Sequence, residues 1–324
     1  MENLTLTTES SSFDGNGWSR ISIEFRMYCE PVFCVVSLLG NFAILIGMAR
    51  VKNFSSSVRF YYSVIAFCEL VVVASFFLVG DFLETGIAYL VSGGAFYPIL
   101  TYDAANWSCK LINALWMGPD FMVGLTLICL GVERVIGITW PFRAKTILTL
   151  QNSILFETTV NFLVLGGFVP LLCIVYTIDP QNGCFYDFSL SFTQFYVFFE
   201  VSIPLISSFV SLGISIYLVV KFVQLTLQRR NISKGAGISA REISNIATLM
   251  VIDVAHLIVY IPDGVLYVLY SIAEVNPKVF SADFTFMIYQ LADICDCFTL
   301  IPHALIFFIH FFRSGSFRKA LGIK

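Results

Sequence analysis

At 324 residues the chain could hold two soluble domains, yet apolar residues make up 57% of it and charged residues only 13%. An average globular protein has roughly 45–50% and about 25%. With 33 Phe and a mean hydropathy of +0.82, too little polar surface remains to solvate a compact body of this size. The composition excludes a disordered chain, a basic nucleic-acid-binding protein and a typical cytosolic enzyme. A net charge of −3 says little as a total, but its distribution is informative. The chain reads as an all-α membrane protein that crosses the bilayer several times.

Residues 1–26 are polar and rich in Ser, Thr and Asn. They lack the charged-then-apolar pattern of a cleavable signal, so they read as a disordered extracellular tail. Asn3-Leu4-Thr5 is a glycosylation sequon on that tail, and Asn106-Trp107-Ser108 is a second before the third span.

A spanning helix needs about 20 mostly apolar residues to cover about 30 Å of hydrocarbon. Windows 31–49, 158–178 and 201–220 meet this without a charge, and 60–82, 111–132 and 245–270 do so with one or two acids. A seventh window, 283–311, contains Asp293 and Asp296 before a clean apolar run. The expectation is a seven-transmembrane helix bundle over residues 27–312, closed by a short cytoplasmic tail over 313–324. No loop is long enough for a folded domain, and no internal repeat is visible.

Lys and Arg set the direction. One side collects Arg50, Lys52, Arg59, Arg134, Arg143 and Lys145, then Lys221, Arg229, Arg230, Lys234 and Arg241, and finally Arg313, Arg318, Lys319 and Lys324. The other side holds Arg20, Arg26, Lys110 and Lys278. The positive-inside rule puts the amino terminus outside and the carboxyl terminus in the cytoplasm.

Several positions narrow the reading further. The first span carries Gly40-Asn41, and the second carries Ile65-Ala66-Phe67-Cys68-Glu69. The third begins at Cys109 and ends in Glu133-Arg134-Val135, with Pro141-Phe142 following. Pro204 sits in the fifth span, Tyr260-Ile261-Pro262 in the sixth and Ile301-Pro302 in the seventh, and Phe317–Ala320 form a basic segment after it. In this order and spacing the chain resembles a rhodopsin-like (class A) G-protein-coupled receptor. Glu69 stands for that family's Asp, Tyr260 for Trp, Ile301 for Asn, and Leu305 for its inner tyrosine. These loosened signatures, with heavy Phe usage, are similar to nematode-type chemosensory receptors. The string 133–146 is closer to neuropeptide receptors.

The resemblance implies a plasma-membrane receptor that binds an extracellular ligand and activates a heterotrimeric G protein. Its other partners would be membrane lipids, and it would use no nucleic acid, cofactor or metal. It also pairs Cys109 with Cys184 in a disulfide on the oxidising side. The remaining cysteines in the spans read as small apolar fillers, and the segment 317–320 becomes a short amphipathic C-terminal helix. The histidines show no ligand spacing with cysteines, so no metal site is expected.

For the switch, the resemblance points to Glu133, Arg134 and Glu242. Glu242 lies 20 residues before Pro262, where an acid often holds the Arg. An Arg134–Glu242 clamp would favour the resting state; alternatively Arg134 snorkels to lipid phosphates and Glu242 faces water. Pro262 and Pro302 should kink their helices by removing internal hydrogen bonds. His256 and Tyr260 lie one turn apart inside the Pro262 kink, as repacking residues or as ordinary core. Glu69 reads as a buried polar hub at the place of the family's sodium site, with Ile301 replacing a usual partner of that site.

Ligand recognition rests on Trp116, Asp120, Glu200, Asp263 and Tyr267. Asp120 lies 11 residues past Cys109, about 16 Å into the bundle. Asp293 and Asp296 fall on neighbouring faces of the seventh helix. Intramembrane acids are costly and normally face an interior cavity, and the sequence offers no Lys or Arg at that depth. Either some of these acids receive a cationic group on the ligand, or they are protonated or bonded to Ser, Thr and Tyr hydroxyls and the ligand is neutral. Trp116 occupies the position where amine receptors of the family carry their counter-ion.

Other classes fit less well. A transporter would want related halves or broken helices in matching places, and a non-signalling scaffold would need none of these motifs. An intramembrane enzyme would need a nucleophile–base pair, which is absent, and a retinal-binding opsin a lysine between Lys278 and Lys319.

Overall fold

The computed structural model describes residues 17–52, 54–75, 77–78, 106–179, 183–186, 191–232, 240–276 and 278–323. Among these, seven helices are long and apolar enough to cross a membrane. Helix α1 (Gly17–Tyr28) precedes the first span, α2 (Glu30–Arg50). The second span, α3 (Ser56–Val72), continues as a π-helical turn over 73–75. The third is α4 (Asn106–Thr139), joined by the short α5 (Pro141–Ile147) to the fourth, α6 (Leu150–Val175). A hairpin of β1 (Tyr176–Asp179) and β2 (Gly183–Tyr186) leads to the fifth span, α7 (Ser191–Ile232), and the sixth, α8 (Ala240–Val275). The seventh consists of α9 (Ala282–Phe298) and α10 (Leu300–Arg313), and α11 (Gly315–Ala320) follows.

The spans are longer than the apolar windows in the sequence. Backbone hydrogen bonding carries a helix on through polar turns once it is nucleated, so α6 begins at Leu150 rather than near 158. At its other end 176–178, which the sequence reads as the last turn of the span, become β1 instead. Tyr176, Thr177 and Ile178 are β-formers, and they pair antiparallel with Tyr186, Phe185 and Cys184.

Each span follows the same arrangement. On α2 the buried positions Cys34, Ser37, Asn41, Ile44 and Met48 recur at helical spacing, while Val32, Val35, Leu39 and Phe42 are exposed. Large apolar side chains on the outside suit lipid, not water. Side-chain oxygens cap several helix starts: Ser55, Thr149, Ser281 and Ser314 accept the N–H of Val58, Asn152, Phe284 and Phe317.

Pro302 has no N–H, so the carbonyl of Phe298 loses its partner, and the seventh span breaks there between α9 and α10. Pro119, Pro170, Pro204 and Pro262 lie inside unbroken helices. The main core lies in the half of the bundle toward Arg134, where Ile44, Ile65, Leu130, Leu218 and Ile252 are buried together. Phe317 of α11 belongs to the same core, so the expected C-terminal helix is anchored in the bundle. Gly47 makes this possible: a Cβ there would lie 2.2 Å from the Phe317 ring.

The amino-terminal segment differs from the expected tail. Residues from Gly17 form a helix that packs against α9, with the rings of Phe25 and Phe298 5.2 Å apart. Trp18, Ile21 and Phe25 recur at helical spacing within the polar composition. Residues 1–16, including the Asn3 sequon, lie outside the described residues.

Candidate ligand cavity and switch

The half of the bundle away from Arg134 encloses a cavity of about 280 Å³. Trp116, Asp120, Glu200, Asp263 and Tyr267 all line it, so the structure brings these five sequence candidates to one place. Asp293 and Asp296 reach the same cavity from the seventh span. Tyr176 of the hairpin and Phe77, itself in π-helical backbone, complete its walls.

One expectation is overturned. A cation does reach the depth of the acids: Arg26, in the last turn of α1, pairs with Asp293 at 2.9 Å and lines the cavity. Sequence position hid it, because Arg26 precedes the first span and enters the cavity from above instead of lying on a spanning helix.

The cavity is coupled to the sixth span. Tyr260 donates a hydrogen bond to Asp120 at 2.9 Å, and the His256 ring stacks on Tyr260 with centroids 5.8 Å apart. Replacing Tyr260 with Phe leaves Asp120 without this donor and should lower thermal stability by about 1–3 kcal/mol; unaltered melting would show the bond to be dispensable.

One turn further toward the Arg134 end, Asp253 accepts hydrogen bonds from Ser211 at 2.6 Å and Ser215 at 2.5 Å. These bonds join α7 to α8. Asp253 is not among the sequence candidates; an acid within the sixth span, opposite a Ser-x-x-x-Ser face of the fifth, was the available signal.

Glu69 is fully buried, and its carboxylate lies 3.7 Å from Nδ1 of His303, two residues past Ile301. Asn41 donates to the carbonyl of His303 at 2.9 Å and so ties the first span to the seventh beside Pro302, which is itself buried. A further acid, Glu157 of α6, accepts from Thr126 and, at 2.9 Å, from Asn161.

At the foot of α4, Glu133 is buried and accepts from Ser57 of α3 at 2.6 Å. Its neighbour Arg134 is half-buried. The side chains of Glu242, Cys109, Cys184 and Asn106 lie outside the described residues, although their backbones belong to α8, α4, β2 and α4. Pro262 is exposed on the outer surface of α8. Among the described residues, no group of three or more His, Cys, Asp or Glu side chains could hold a metal ion.

No protein-family model matches the chain. It is similar to lysophosphatidic acid receptor 6 of Homo sapiens, 29% identical over 101 residues, which cover 28% of this chain and 29% of that receptor. The same receptor of Mus musculus is 28% identical over 104 residues, 29% of this chain and 30% of that protein. The chain thus spans less than a third of the length of the curated relatives it matches. The seven-span bundle and this stretch of similarity together support a G-protein-coupled receptor.

Proposed function

We propose that the chain is a rhodopsin-like G-protein-coupled receptor of the plasma membrane, with its amino terminus outside, its carboxyl terminus in the cytoplasm and no covalent chemistry. We assign it a chemosensory role, with a small extracellular molecule as ligand. The observation that carries this reading is a chain of contacts from the cavity into the sixth span. Asp120 in the cavity accepts from Tyr260, whose ring stacks on His256, and one turn further along the same helix Asp253 accepts from Ser211 and Ser215 of the fifth span. A ligand that alters the Asp120–Tyr260 contact would bias the packing of the sixth span's inner half, and with it the exposure of Arg134 to a G protein. Such a shift needs only a difference in ligand affinity between two packings.

A volume of about 280 Å³ suits a small molecule. A neuropeptide is the second reading, since one side chain could enter while the peptide rests on the hairpin. The relatives' name refers to lysophosphatidic acid, but five carboxyl groups line this cavity, its one Arg or Lys among the described residues, Arg26, already pairs with Asp293, and the lining His303 faces Glu69. That balance disfavours a phosphate headgroup here.

The test is guanine-nucleotide exchange on a panel of Gα subunits with purified receptor in lipid discs. Wild type should accelerate exchange on at least one subunit, and Arg134→Ala should reduce the effect at least tenfold. No acceleration by wild type, or equal acceleration by the variant, would point to a transporter or scaffold instead.

A further inference from the structure

We infer that the cavity binds a small organic cation bearing N–H groups, a primary or secondary ammonium, and that Asp263 is its counter-ion. The inference rests on the cavity being the ligand site, but not on coupling to a G protein.

The acids in the cavity differ in what already serves them. Asp120 accepts from the Tyr260 hydroxyl at 2.9 Å, and Asp293 holds Arg26 at 2.9 Å. Asp263 follows Pro262 on the sixth span and lines the cavity, yet its Oδ1 is buried and has no hydrogen-bond partner among the described residues. A buried carboxylate oxygen left without a donor is costly in an apolar bundle. A proton on the carboxyl would relieve it, and so would a donor on the occupant of the cavity.

The surroundings select the occupant's charge. Asp120, Glu200 and Asp296 share the cavity with Asp263, while Asp293 is paired with Arg26, so the acids in the lining outnumber its one guanidinium and disfavour an anion. Trp116, Tyr260 and Tyr267 line it as well, and aromatic faces attract an ammonium further. The protein already pairs a cation with an acid of this cavity, since the Arg26 guanidinium meets Asp293 there. An N–H donor fits better than a quaternary ammonium, because Oδ1 of Asp263 needs a hydrogen bond as well as a charge.

The measurement is thermal unfolding of the purified full chain with phenylethylammonium or benzylammonium, each paired with its neutral isostere, 2-phenylethanol or benzyl alcohol. Ligand binding raises the unfolding temperature in proportion to occupancy. At least one ammonium should bind at least tenfold more tightly than its alcohol. Asp263→Asn should abolish that difference, whereas Arg26→Gln should leave it intact or enlarge it. Equal binding of both members of each pair, no shift from either ammonium at millimolar concentration, or loss of the difference in Arg26→Gln would overturn the assignment. If Asp263→Asn does not fold, the charged-versus-neutral comparison on wild type decides alone. A receptor that binds ammonium without exchanging nucleotide would keep this inference and discard the signalling role.

Discussion

Replacing Asp253 with Ala is expected to raise ligand-independent nucleotide exchange about tenfold. Asp253 receives two short hydrogen bonds, from Ser211 and Ser215, and these join the inner halves of the fifth and sixth spans. Hydrogen bonds to a charged group contribute about 1.5–3 kcal/mol each. Only the part lost when the sixth span swings away counts toward the switch, and a tenfold change needs about 1.4 kcal/mol. Asp253→Asn, which keeps an acceptor, should have a smaller effect. Ser211→Ala and Ser215→Ala should each raise exchange by less than the aspartate replacement, because one bond survives. Basal exchange that stays level or falls in Asp253→Ala would mean that this contact does not hold back the swing. The same assay on Glu242→Gln would then weigh the Arg134–Glu242 clamp expected from the sequence.

The second large effect concerns stability. Phe317 has no exposed surface, although it belongs to a helix of only six residues after the last span. It packs on His310, with ring centroids 5.7 Å apart, and over Gly47 of the first span. Phe317→Ala should cost about 3–5 kcal/mol, the range for removing a buried aromatic side chain. Gly47→Val should also destabilise, since even its Cβ would lie 2.2 Å from the ring and force the aromatic out. Pairing Gly47→Ala with Phe317→Leu should recover part of the loss, because the smaller side chain vacates the space that the added methyl needs. Melting curves of the four proteins in detergent decide the matter. A Phe317→Ala variant that melts with wild type would show that the C-terminal helix contributes nothing to the bundle.

Much of the architecture was legible in the sequence because the bilayer imposes a simple rule. Seven apolar stretches of sufficient length appear as seven spans. The break in the seventh lies within one turn of Pro302, whose missing N–H removes a hydrogen bond there, whereas four other prolines sit in unbroken helices. The five ligand candidates also meet in one cavity, although Glu69, Glu157 and Asp253, acids of the same spans, are buried elsewhere.

The omissions have a common cause. Arg26, Asp253, Glu157 and His303 gain their significance from residues far away in the chain: Asp293, Ser211, Thr126 and Glu69 respectively. Composition around Arg26 suggested a polar tail, yet the helix that carries it packs against α9, the first part of the seventh span, more than 250 positions later.

Local chemistry by itself therefore determined the membrane class, the number of spans and the kinked seventh helix. Hydropathy and backbone hydrogen bonding act over a single turn or a single span, so they need no knowledge of neighbours. Which carboxylate meets a guanidinium, which meets a hydroxyl and which has an oxygen without a hydrogen-bond partner among the described residues was decided only by tertiary structure. Those pairings depend on how helices are rotated and set against each other, and one sequence read along its length contains no direct record of that rotation.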